Sequence, residues 1–383
     1  MPRATGWASK DWCATSLRAV GVDPRPDRHA ALATLLAAED LDALLVTSLP
    51  NVRYLTGFSG SAALVIATAG GLLLVTDFRY EEQARAEVDD VARVVVERTS
   101  AWDRLFKELG SQGALDVIGF EAHAVSAKDA ERLSLGGKTW RWRSAPELVE
   151  RLRVSKTPAE VAAVRAAAAL AGDALRATLG AVRVGQTEHQ IAGILEGHLR
   201  RLGSEAHPFP TIVASGPRTA WPHARTSPRP VARGDWLLLD FGAQVDGYCA
   251  DITRTVVVGA HATESQRVLY EIVRTAQRTA RERIRAGMAG READALARDV
   301  ISARGFGDAF GHSLGHGLGL EVHEAPRLAH TNSDPLPLDA VVTIEPGIYL
   351  AGQGGVRIED DVHLAVEGPV LLSDGVTDLV ELP

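Results

Sequence analysis

The stretch from Trp236 to Thr255, WLLLDFGAQVDGYCADITRT, sets the strictest condition on any fold this chain can adopt. Asp240 stands inside the apolar run Leu237, Leu238, Leu239 and Phe241, which reads as a buried strand. A carboxylate there costs on the order of several kcal/mol unless a positive group sits beside it. Asp251, further along the stretch, is also an anion and cannot be that group. A hairpin with a two-residue loop at Val245 and Asp246 places Asp240 directly opposite Asp251, with Cβ atoms about 4.5 to 5.5 Å apart. A turn at Asp246 and Gly247 shifts the register by one pair and makes the two acids diagonal neighbours. Both registers crowd two carboxylates onto one face, which is tolerable once cations lie between them.

The pattern returns near the C-terminal end. Val341 to Leu350 and Val356 to Leu364 are strand-like, and the Gly-rich AGQGG at 351–355 joins them, so that Glu345 and Glu359 face each other across a second hairpin. Between the hairpins lies GHSLGHGLGLEVHE, carrying His312, His316 and His323. Gly315 and Gly317 let backbone and metal approach His316 closely. Four carboxylates and one imidazole converge with a formal charge of about −4, which two divalent cations neutralise. Asp240, Asp251, His316, Glu345 and Glu359 are therefore candidate ligands of a two-metal site. The competing role, a structural ion pair, lacks a nearby Lys at these positions. Cys249 shares a face with Asp251 but reads as a small buried hydrophobe, not a ligand. Thr253 and Arg254 are expected to fix the strand.

The ordered blocks DFGA, ADITRT, GHGLGLEVHE, TIEPGIY and RIEDD resemble the pita-bread metallopeptidases, and within them aminopeptidase P and prolidase. NVRYLTGFSGS and TDFRYEEQARAE resemble the creatinase-type N-terminal domain, which extends the resemblance to residues 28–383. The resemblance implies an α/β creatinase-like domain followed by an α+β pita-bread catalytic domain. It also implies that His223 and His323 hold the substrate and shuttle protons as the amine leaves. His312 matches a further pocket histidine, and Arg357, on the strand face of Glu359, pairs with it as a substrate-site candidate and a clamp on the carboxylates. Arg327 falls near the pocket rim, where a solvated arginine is the default.

The reaction so implied is cleavage of the bond before a proline in second position, by water activated between two cations bridged by Asp251 and Glu359, with Glu345 as general base. One nitrogen and many oxygens make a hard donor set that favours manganese, with cobalt or zinc as substitutes. The leading expectation is an Xaa-Pro aminopeptidase, its close rival an Xaa-Pro dipeptidase (prolidase). A metal-free pita-bread module that only binds proteins is opposed by the presence of every ligand. Relatives of this kind are commonly homodimers.

At 383 residues the chain is long enough for two cores. Expected divisions are a loose N-terminal extension at 1–27, the creatinase-like domain at 28–148 and the pita-bread domain at 149–383. Asp77, Arg79 and Tyr80 are assigned structural work, Asp77 capping the helix that follows. Thr157, Pro158 and Glu160 mark the start of a long Ala-rich helix. A net charge of −8 argues against a nucleic-acid surface. The longest apolar stretch, Ala62 to Val75, is broken by Thr68, Gly70 and Gly71 and is too short to span a bilayer. Only Cys13 and Cys249 are present, which suits a reducing cytoplasm.

Overall fold

The computed structural model describes residues 23–88, 90–113, 115–136, 138–373 and 377–383. Residues 1–22 of the expected extension lie outside the described residues. Helix α1 (Arg25–Ala38) starts at Arg25, with Pro26 in its first turn, where Arg28 was the expected start. There follow β1 (Ala43–Val46), α2 (Leu49–Thr56), β2 (Ala63–Thr68), β3 (Gly71–Asp77), α3 (Glu81–Val88), β4 (Ala92–Glu97), α4 (Ala101–Leu109), β5 (Val117–Phe120), α5 (Ala127–Gly136) and β6 (Arg141–Ser144). The six strands form one sheet in the order β4-β3-β2-β1-β5-β6. Strand alternation makes it the middle of three layers. Leu44 and Val46 of β1 pack with Leu32 and Leu36 of α1 and Val52 and Leu55 of α2, while Ala43 and Leu45 pack with Leu105 and Leu109 of α4 and Leu133 of α5. Asp77 accepts from Arg79 N at 3.0 Å and caps the single 3-10 turn that leads into α3.

Helix α6 (Leu148–Arg153) precedes the crossing to the second unit. Thr157 then opens α7 (Pro158–Ala181) with a full capping box: its Oγ1 accepts from Glu160 N at 3.3 Å, and Glu160 Oε2 accepts from Thr157 N at 2.7 Å. The remaining elements are α8 (Glu188–Leu202), β7 (Ile212–Ser215), β8 (Trp236–Phe241), β9 (Gln244–Val245), β10 (Tyr248–Cys249), β11 (Ile252–Val258), α9 (Glu264–Arg283), α10 (Gly290–Ser302), β12 (Gly315–Gly317), β13 (Glu324–Leu328), β14 (Val341–Ile344), β15 (Gly347–Leu350), β16 (Gly354–Arg357), β17 (Asp360–Ala365), β18 (Gly368–Leu371) and β19 (Glu381–Leu382).

Two sheets, β19-β11-β8-β7 and β13-β12-β14-β17-β18, each bury one face under a helix pair. Leu237, Leu239 and Phe241 of β8 and Ile252, Val256 and Val258 of β11 pack with α7 and α8. Val342 and Ile344 of β14 and Val362 and Leu364 of β17 pack with α9 and α10. The odd-numbered residues of β11, β14 and β17 therefore turn inward, toward the opposite half. The halves are stitched there: Thr255 Oγ1 donates to Arg357 O at 3.0 Å and accepts from Arg357 N at 3.2 Å, and Glu359 N donates to Thr253 O at 3.1 Å.

The long strands expected at 236–244, 249–258, 341–350 and 356–366 are each split, at 242–243, 250–251, 345–346 and 358–359. Three of the four breaks hold a candidate ligand. Replacing Thr157 by Ala removes the cap of α7 and should cost about 1 kcal/mol, read as a lower urea midpoint at unchanged slope.

Candidate metal centre and peptidase site

The first hairpin turns at Asp246 and Gly247, whose φ angles of 50° and 80° suit the tight turn that follows the strand twist. Val245 pairs with Tyr248 and Asp240 with Thr253, so Asp251 is the diagonal neighbour of Asp240, not its opposite. In the second hairpin Ile344 pairs with Asp360 and Gly347 with Arg357, which sets Glu345 opposite Glu359 at the break between the two ladders.

His316 enters from β12, between β13 and β14. Its flanking glycines are steric necessities: a Cβ on Gly315 would lie 2.0 Å from Thr343 O, and one on Gly317 would lie 2.0 Å from Ala325 O. His316 Nδ1 faces its own neighbour's carbonyl, Gly317 O, at 3.0 Å and so carries the proton. The bare Nε2 points at Glu345 Oε1, 3.4 Å away, and Asp251 Oδ2, 3.8 Å away. Burial lowers the His316 pKa to about 4, which keeps the ring neutral.

Asp240 has a positive partner, which the sequence demanded: Arg357 Nη2 bonds its Oδ2. The same guanidinium donates to Thr253 Oγ1 at 3.0 Å and to Tyr349 OH at 2.8 Å. Thr253 in turn donates to Glu359 Oε2 at 2.6 Å. Tyr349 OH lies 2.8 Å from His312 Nε2, and because His312 Nδ1 donates to Ser313 O at 2.8 Å, the tyrosine is the donor to Nε2. Burial holds His312 at about 4 and raises Tyr349 to about 12.

Among the described residues Asp251, Glu345 and Glu359 form no ion pair with an arginine or lysine. Burial, then the neighbouring carboxylates, pushes Asp251 and Glu359 well above the carboxylate range, and burial raises Glu345 to about 8. Asp251 Oδ1 is buried with no hydrogen-bond partner. Asp251, His316 and Glu359 offer ligand atoms within 4.8 Å of one another. All of Asp240, Asp251, His316, Glu345, Glu359, His223, His312, His323 and Arg357 line one cavity of about 1600 Å³. The His323 ring stands edge-on to His316 with centroids 4.3 Å apart.

Residues 162–365 match metallopeptidase family M24, and residues 28–155 match the Creatinase/Prolidase N-terminal domain. The chain belongs to metallopeptidase family M24. A Xaa-Pro dipeptidase of Pyrococcus furiosus is 33% identical over 334 residues, covering 87% of this chain and 93% of the relative. The solved Xaa-Pro dipeptidase from Bacillus anthracis superposes with a TM-score of 0.89 at 36% identity, covering 94% of this chain and 100% of that one. The solved X-Pro aminopeptidase from Thermotoga maritima does so with a TM-score of 0.86 at 36% identity, covering 92% and 99%. The fold is thus the pita-bread fold behind a creatinase-type domain, and the family works with divalent metals.

The M24 chain's own residues fit that chemistry: an unpartnered buried carboxylate oxygen, a bare imidazole nitrogen and two further uncompensated carboxylates share one wall. A second group of possible ligands, Glu121, His123 and Glu150, fits less well. Glu121 is already occupied by Thr47 N and Ser48 N on one oxygen and Asn51 Nδ2 on the other.

Sequence reasoning passed over three groups. Tyr349 lies on the same strand face as Glu345, so alternation alone would have found it. Asp361 accepts from Asp251 N at 3.2 Å and leaves its Oδ1 buried and unpartnered. On α10, Asp294 accepts from Leu314 N at 3.0 Å, while Arg298 donates to Phe310 O and His312 O, both at 2.7 Å, and clamps the loop of His312; no motif announces it.

The raised carboxyls give the metal-free M24 chain a distinct pH response. A group whose pKa is raised on folding contributes stability below its unfolded value and loses it as pH climbs through the folded value. His312 and His316, lowered from 6.5, oppose this only below about that pH. Between pH 6.5 and 8 the metal-free protein should therefore lose thermal stability as Glu345 ionises near 8. Added manganese should raise the melting temperature more at pH 8 than at pH 6.5, as scanning calorimetry with and without chelator will read.

Proposed function

We propose that this chain is a proline-specific exopeptidase that hydrolyses the bond between an N-terminal residue and a following proline. The observation that carries the proposal is the meeting of uncompensated carboxylates, a bare imidazole nitrogen and three further pocket histidines or their partners in one cavity of about 1600 Å³. Asp240, Asp251, His316, Glu345 and Glu359 are assigned as ligands of two divalent cations, with manganese matching the oxygen-rich set. Bound there, the cations supply an acidified water and a polarised carbonyl. Glu345 takes the proton of the attacking water. His223 and His323 hold the peptide and pass a proton to the departing proline nitrogen. His312 and Arg357 keep the substrate side in register through Tyr349. A homodimer in the cytoplasm completes the proposal.

Between the two peptide lengths, Arg327 favours the dipeptide. It is exposed on the cavity wall close to His323 and forms no ion pair among the described residues, which leaves its guanidinium open to the carboxylate of a C-terminal proline. The aminopeptidase alternative, first in line from sequence, keeps its own support. The cavity exceeds the roughly 300 to 1,000 Å³ of common small-ligand pockets, which leaves space for a longer peptide.

The manganese-loaded protein should release the first residue from Xaa-Pro dipeptides faster than from Xaa-Pro-Xaa tripeptides. Arg327→Met should raise KM for the dipeptide by about tenfold or more, the loss of one charge-assisted contact, and change the tripeptide far less. The opposite ranking assigns an aminopeptidase, and inertness toward both returns the chain to a binding module. Asp251→Ala should abolish turnover and leave the far-ultraviolet circular dichroism unchanged.

A further inference from the structure

The segment that carries His323 is held from outside its own sheet. Arg153 closes α6 at the edge of the N-terminal unit, and its Nη2 lies 2.9 Å from Glu321 Oε2 and 2.5 Å from Glu324 Oε2. Those two carboxylates flank His323 in sequence on either side. Lys156 Nζ binds the other oxygen of Glu324. Arg153 Nη1 donates to Asn51 Oδ1 at 2.8 Å, and Asn51 Nδ2 donates to Glu121 Oε1 and Glu150 Oε1, both at 2.6 Å. The guanidinium thus ties helix α2 of the N-terminal unit to the wall of the peptidase cavity.

The bracket is charge-balanced, and its Glu324 half is dry while Glu321 stands at the surface, 45% exposed. The side chains of Arg153, Lys156 and Glu324 are 3%, 1% and 6% exposed. Leu320 packs onto the hydrophobic core of the N-terminal unit, so the loop rests on that unit through apolar contact as well. Gly319 lets it fold tightly: a Cβ there would lie 2.4 Å from Glu324 Oε1. The Glu324 backbone pairs with Gly317, next to His316. A buried ion network of this kind adds little net stability over an apolar substitute, but it fixes one geometry. His323 is exposed in the cavity, its ring against His316. Its placement therefore depends on the backbone on either side.

We propose that Arg153 is a positioning residue for His323: by bracketing Glu321 and Glu324 it holds that histidine in register with the peptide, and Asn51 makes the N-terminal domain part of the support. The proposal rests on the exopeptidase function above, in which His323 meets the substrate. A misplacement of about 1 Å can cost on the order of a hundredfold in rate, so the bracket bears on turnover more than on folding.

The test is a double-mutant cycle on the full-length, manganese-loaded protein. Arg153→Met should lower kcat by about tenfold or more with a smaller change in KM, and Arg153→Lys, which keeps the charge but loses the fork, should recover part of it. In a His323→Ala background the same Arg153→Met change should alter kcat by less than about twofold, since the group it serves is gone. Equal losses in the two backgrounds overturn the proposal and leave Arg153 as a tie between domains. Amide hydrogen exchange gives a second, activity-free readout. Residues 318–325 should exchange faster in Arg153→Met and, if that variant does not fold, in Arg153→Lys, while α9 and α10 stay protected. Unchanged exchange in that segment sinks the bracket whether or not the enzyme turns over. A wild-type protein that cleaves neither peptide overturns the exopeptidase function alone.

Discussion

Like-charge crowding in a dry wall is the condition on which the rest of this molecule turns. Asp251, Glu345 and Glu359 meet where burial pushes their carboxyls upward, and among the described residues none of them forms an ion pair with an arginine or lysine. Holding such groups together requires a rigid frame, because a flexible one would let them separate into water. The frame is two antiparallel hairpins whose inner faces look at each other, locked by the paired hydrogen bonds between Thr255 and Arg357 and backed by a helix pair on each outer side. Strand alternation then delivers acids, threonines and one arginine to the same seam.

Much of that was visible before any coordinates. An acid embedded in Leu237, Leu238, Leu239 and Phe241 announces a compensated charge, and hairpin symmetry pairs Glu345 with Glu359. The first hairpin was ambiguous by one pair, and backbone conformation resolves it: Gly247 takes positive φ at no steric cost, and Asp246 is among the few side chains that tolerate it. What the pattern could not reveal is that the strands break at Asp251, Glu345 and Glu359. Periodicity reads continuous alternation through a break, since the residues on either side keep their faces. Short elements escaped for a related reason. Helix α6 is six residues long, too short for its apolar Leu148, Val149 and Leu152 to show a period, and β12 is three residues of Gly-His-Gly with no strand propensity, made extended by the strands on both sides of it.

The N-terminal unit looks dispensable for chemistry, since every ligand assigned to the peptidase site lies beyond residue 239. Its contacts argue otherwise. Tyr54 OH donates to Leu152 O at 3.2 Å, Arg28 pairs with Glu160 at 3.1 Å, and Glu160 accepts from Tyr248 OH at 2.7 Å, next to the turn of the first hairpin. Together with Arg153 these bonds make the linker a hub shared by both units. In the run ELVERLRVSKTPAEV, Arg153, Lys156 and Glu160 point inward and each meets a partner of opposite charge, while Glu147 and Arg151 stay at the surface.

The metal site can also be reached by subtraction, independently of resemblance. Buried acids elsewhere are compensated: Glu108 by Arg93 and Arg104, Glu160 by Arg28, Glu188 by Arg218, Asp294 by Arg298, Asp360 by Arg254, Asp240 by Arg357, and Glu121 by backbone and Asn51 amides. Among the described residues the same accounting leaves Asp251, Glu359 and Asp361 without a guanidinium. Asp361 turns one oxygen to the Asp251 amide and so backs that residue, and it is not among the converging ligand atoms of Asp251, His316 and Glu359. The remainder is Asp251 and Glu359, joined by the half-buried Glu345 and facing a neutral imidazole whose free nitrogen points inward. A chain that neutralises its interior acids so consistently, and stops at the one place where a histidine lone pair converges on them, leaves a charge deficit with the shape and donor set of bound cations.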